Sequence, residues 1–95
     1  MKLPQSFEMS IMRADFLRLL PAAVGHQAFS VEGGRIEHRD GRRSWSIRLT
    51  ALPDLSIGLV RLERHRVVLA LEAYGEEEAA AFIRRFELYF RRGGG

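Results

Sequence analysis

At 95 residues, with 46% apolar and 28% charged content, the chain has material for one core and not for two, and its composition is that of a folded protein. The absence of cysteine excludes disulfides, thiolate nucleophiles, zinc ribbons and iron–sulfur clusters, and no apolar run approaches the roughly 18 residues of a membrane-spanning helix. Net charge is only +3, but all but one of the 15 basic residues are Arg, the side chain suited to bidentate phosphate or carboxylate contacts.

The opening Met1-Lys2-Leu3-Pro4-Gln5-Ser6 lacks the apolar stretch of a secretory signal, so a cytoplasmic address is expected. Residues 6 to 12 alternate apolar and polar as a strand does, yet lead without a breaker into Arg13 to Leu20; strand and helix both remain open for them. From there the pattern is helical, with Met12, Phe16, Leu19 and Leu20 on one stripe. Pro21 disfavours helical geometry at Leu20 and is expected to end the helix there.

Asp40-Gly41 is the strongest short-range signal, since a two-residue turn with positive φ at both centres suits this pair. Counting outward pairs Arg39 with Arg42, His38 with Arg43 and Ile36 with Trp45. Ile36, Trp45, Ile47 and Leu49 then share a core-facing parity. Gly33-Gly34 is read as a second tight turn in preference to a bulge, and it is not a phosphate loop, because a strand follows where a helix would be required. Leu52-Pro53-Asp54 is expected to reverse the chain, Leu55 to Leu62 to form a strand, and Glu63-Arg64-His65 to reverse it again.

Val67 to Leu71 are five consecutive apolar residues, the pattern of a strand buried on both faces. Glu76-Glu77-Glu78 then open a helix where its positive dipole end favours acids, and Arg91-Arg92 close it. Ala79, Phe82, Ile83, Phe86, Tyr89 and Phe90 fall at helical spacing on one wide face, which should cover the sheet. The ending Arg91-Arg92-Gly93-Gly94-Gly95 resembles, in its Gly-Gly preceded by Arg alone, the tails of ubiquitin-like and sulfur-carrier proteins, from which its third glycine departs. A helix cap followed by a flexible terminus over residues 93–95 accounts for it more simply.

Nothing in the sequence assembles a catalytic centre. His26, His38 and His65 have no metal-site spacing, and none of the six serines sits in a nucleophile elbow. His38 shares the parity of Ile36 and reads as a half-buried partner of Trp45 or Phe29. The glutamates Glu32, Glu37 and Glu72 each have an Arg within reach and read as solvated ion pairs. No cofactor and no enzymatic activity are expected.

The chain therefore reads as one α+β domain over residues 1–95, an antiparallel meander of four or five strands with two helices packed on one face. Helices on one face leave Val68 and Ala70 on the other, together with whichever parity of Leu55 to Leu62 shares their side. These residues are the candidate self-association surface, and a non-enzymatic protein-interaction or homodimerisation module is the leading expectation. The alternative is a basic module for nucleic acid or another polyanion. In a meander alternate turns share an end, so two Arg-rich tips, with Arg39, Arg42 and Arg43 on one and Arg64, His65 and Arg66 on the other, would converge into an anion-binding patch.

Overall fold

A computed structural model describes residues 3–93, with side chains described through Phe90. The elements run β1 (Gln5–Met9), α1 (Arg13–Ala23), β2 (Ser30–Glu32), β3 (Arg35–Asp40), β4 (Arg43–Ile57), β5 (Val60–Glu72) and α2 (Glu76–Gly93). The strands form one antiparallel sheet in the order β1-β5-β4-β3-β2. The fold is thus α+β: a four-stranded meander, β2 to β5, whose last strand also takes β1 on its free edge.

The ambiguity at residues 6 to 12 resolves toward strand for Ser6 to Met9, because pairing from Gln5↔Leu69 to Met9↔His65 satisfies both backbones, while Ser10 and Ile11 belong to neither element and Met12 is the N-cap of α1. α1 continues past Pro21, against the expectation that it stops at Leu20. Proline forfeits one hydrogen bond, but the following peptide groups close the helix without it. Val24 donates to the Leu20 carbonyl at 3.0 Å, His26 to Pro21 at 2.7 Å and Gly25 to Ala22 at 3.2 Å. Burial of Leu20 and Ala23 favours completing that turn.

The β3–β4 hairpin also departs from the expected register. Asp40 stays in the ladder opposite Arg43, and the turn is Gly41-Arg42, so Ile36 pairs with Ile47 and His38 with Trp45. Positive φ is needed at the first turn position, and Gly41, at φ 64°, supplies it. The displacement is two residues, so face parity survives, and Ile36, Trp45, Ile47 and Leu49 are all buried. Gly33-Gly34 forms the turn between β2 and β3, as expected.

The largest correction lies between residues 52 and 66. No reversal occurs at Leu52-Pro53-Asp54 or at Glu63-Arg64-His65; β4 runs through to Ile57, the chain turns at Gly58-Leu59, and β5 returns unbroken to Glu72. Pro53 and Asp54 together oppose Glu63, between the pairs Leu52↔Arg64 and Leu55↔Leu62. This is a β-bulge, which accommodates a proline without ending the strand.

Both helices pack on one face of the sheet. Ile36, Trp45, Ile47, Leu49, Val67 and Leu69 from the strands meet Phe16, Leu20, Ile83, Phe86 and Phe90 from the helices in one core. Phe90 stacks on Phe16 with ring centroids 4.5 Å apart and lies 4.7 Å from Phe86. The stripe read for the second helix is the one buried: Ala79, Ile83, Phe86 and Phe90 fully, Phe82 and Tyr89 in part. The helix starts with Gly75 donating its N–H to the Glu78 carboxylate at 3.1 Å, the backward bond of a capping box. The side chains of Arg91 and Arg92, and Gly94-Gly95 of the expected tail, lie outside the described residues, while Gly93 is the last residue of α2.

Candidate interaction surface

β4 and β5 outrun their neighbours. β3 accompanies β4 only as far as the Arg35↔Arg48 pair, and β1 accompanies β5 only from His65 onward. Beyond these points the two strands continue to the Gly58-Leu59 turn as a two-stranded arm of about 20 Å by strand rise. The molecule is correspondingly elongated, 47 × 26 × 21 Å. No residue between Thr50 and Arg64 belongs to the core.

The arm is amphipathic, and the bulge makes it so. Alternation along β5 puts Val60, Leu62, Arg64, Arg66, Val68 and Ala70 on the face turned away from the helices. In β4 the extra residue at Pro53-Asp54 shifts parity, so Leu55 lies opposite Leu62 and Ile57 opposite Val60. A ladder without it would have placed Asp54 and Ser56 there. Four large aliphatic side chains thus gather on one face of the arm, exposed at 41% (Leu55), 59% (Ile57), 56% (Val60) and 37% (Leu62), with Leu59 fully exposed at the turn. Ser56, Arg61 and Glu63 take the other face.

Along the sheet body the open face is polar. Val68 sits between Arg48 and Ser6, and Ala70 beside Ser46, both half-buried. The self-association residues read from sequence are therefore on the expected face, but the large exposed apolar surface on that side is on the arm. The Val67 to Leu71 run buries Val67 and Leu69 against the helices and leaves its other parity among serines and arginines.

The basic residues do not converge as two tips. Arg39, Arg42 and Arg43 flank the β3–β4 turn, whereas Arg64 and Arg66 lie along β5, and the β4–β5 turn is at the opposite end of the sheet. Arg64 and Arg66 both bind the Glu8 carboxylate, at 2.9 and 3.3 Å, and Arg43 reaches Glu78 at 3.1 Å while lying over the Tyr74 ring. His65 is buried, its ring bonded through Nδ1 to the Ile11 carbonyl at 2.8 Å, so it is not part of a surface patch. His38 does stack on Trp45, 5.9 Å between centroids, and its Nδ1 is bonded to the Ala28 carbonyl.

Elsewhere on the open face a pocket of about 310 Å³ has Ser30, Glu37, Ser46 and Ala70 in its lining, a row running across four strands. Among the described residues no group of three or more His, Asp or Glu could hold a metal ion, and no helix is long and apolar enough to cross a membrane. Comparison with protein-family models, curated proteins and solved structures finds no match.

Proposed function

We propose that the protein is a non-enzymatic protein-interaction module, with homodimerisation as its leading use, and that the β4–β5 arm is its contact element. One observation carries this reading: Leu55, Ile57, Val60 and Leu62 are displayed together on an arm that contributes nothing to the core. Isolated two-stranded ribbons are marginal in water, and contiguous exposed apolar surface on a soluble protein marks an interaction site. An arm kept for the stability of its own chain would bury these side chains instead.

A polyanion-binding role is supported less well, since Arg64, Arg66 and Arg43 are already paired with carboxylates. It would show as salt-sensitive retention on heparin that is lost when Arg39 and Arg42 become Gln.

The test of the arm reading is a variant with Leu55, Ile57 and Leu62 all changed to Ser. The parent is expected to bind a hydrophobic probe dye or to gain mass with concentration in sedimentation, and the variant to do neither while keeping its far-ultraviolet spectrum. Equal behaviour of parent and variant would overturn the reading.

A further inference from the structure

Resting on the arm reading, we infer that the occupant is a second copy of this chain, joined by antiparallel pairing of Val60–Arg64 with the same five residues of its partner about a two-fold axis at Leu62. Three independent features lead to this arrangement.

The first is which edge is open. β4's outer edge along the arm carries the bulge and Pro53, both devices that discourage strand addition. β5's outer edge is clear from the turn to His65, opposite which β1 ends at Met9, a stretch of five residues. A partner segment centred on Leu62 falls within this stretch.

The second is hydrogen-bond phase. A two-residue turn makes Ile57 and Val60 a hydrogen-bonded pair, so ladder alternation aims the peptide groups of Leu62 at β4 and those of Arg61 and Glu63 at the open edge. A two-fold axis at Leu62 sets Arg61 opposite the partner's Glu63, and Glu63 opposite the partner's Arg61. Those are the peptide groups left unbonded, and they complete two hydrogen-bonded pairs.

The third is charge. The segment reads Val-Arg-Leu-Glu-Arg, and its antiparallel self-pairing about the central Leu puts an Arg against a Glu twice on one face. Within the chain neither Arg61 nor Glu63 has an ion-pair partner among the described residues, although Arg64 and Arg66, on the opposite face, share Glu8. On the apolar face Leu62 meets its symmetry mate directly, in a pair without hydrogen bonds, where side chains approach most closely. The two arms then form a continuous four-stranded ribbon with Leu55, Ile57, Val60 and Leu62 of both copies on one side. Such a contact is isologous and closed, as a two-fold dimer requires.

The test uses charge reversal in the whole protein. Arg61→Glu places four glutamates at the junction and Glu63→Arg places four arginines, so each is expected to raise the dimer dissociation constant about tenfold or more. Mixing the two variants restores both ion pairs, and a heterodimer of twice the 10.9 kDa chain mass is expected by native mass spectrometry. The double variant Arg61→Glu/Glu63→Arg should dimerise like the parent. In the parent, amide exchange at Arg61 and Glu63 should slow as concentration rises. A dimer indifferent to both single reversals, yet lost when Leu55, Ile57 and Leu62 become Ser, would overturn strand pairing and leave the arm as a contact face. A parent that stays monomeric at tens of micromolar overturns the pairing outright, and dye binding by the parent against that triple-Ser variant then decides separately whether the arm reading survives.

Discussion

Phe86 shows how much a single side chain carries in a core this small. It is fully buried and touches aromatic rings from three other positions, Phe7, Phe16 and Phe90. Phe86→Ala removes that packing and leaves a cavity, at a cost of about 3–5 kcal/mol. Since small domains hold about 5–15 kcal/mol in total, the variant should be largely unfolded or aggregated; a melting temperature within a few degrees of the parent would mean that α2 does not dock by this face. Arg85 acts differently. α1 has no basic residue in its own last turn, and Arg85 of α2 supplies one from outside, its Nε donating to the Ala22 carbonyl at 2.8 Å while the guanidinium lies over Tyr89. The bond satisfies a helix-end carbonyl and places a cation at the negative dipole end. Arg85→Ala should cost about 1 kcal/mol, read as a fall of about 4–8 °C in melting temperature.

At the scale of elements, the helices and the face parity of the strands were legible in the sequence, and the arm was not. Ala79 to Phe90 repeat with a period that burial demands, and the alternation of Ile36 and of Trp45 to Leu49 survived even a two-residue error in hairpin register. The arm defeated the same reasoning because the bulge at Pro53-Asp54 shifts the parity of β4 partway along, so its alternation no longer reads as that of one strand. Glu63-Arg64-His65 looked like a turn because three polar residues follow one another, whereas they lie mid-strand beside a bulge. Pro53 looked like a stop for the same want of tertiary context. The true reversal, Gly58-Leu59, was hidden among aliphatic residues, and its only local mark is a glycine at φ 58°. That glycine gives a test of the arm as a separate unit. Gly58→Val forces a β-branched residue into the left-handed region, and it should speed amide exchange across residues 55–62 while leaving the melting temperature within a few degrees. A cooperative loss of the whole fold would mean that the arm is coupled to the core.

For the molecule as a whole, the two helices close one side of the sheet and leave the other to water, with apolar surface displaced from the sheet body to the end of a ribbon. The self-association proposed for the arm would be separable from folding, in a way it would not be if Val68 and Ala70 formed the contact, since those residues sit directly behind the core strands. Replacing residues 53–63 with Asn-Gly exploits this separation. Leu52 and Arg64 are already cross-strand partners, so a two-residue turn can join them without changing register. None of the removed residues contributes to the core. The shortened protein should keep its far-ultraviolet spectrum and melt within a few degrees of the parent's monomeric fold, because the terms that hold the fold together are untouched. It should also sediment as a monomer at every concentration and bind no hydrophobic probe. Persistence of the dimer after this excision would move the interface to the sheet body, with Val68→Glu as the variant that should then abolish it; loss of the fold would show that the arm's strands stabilise the sheet from which they extend.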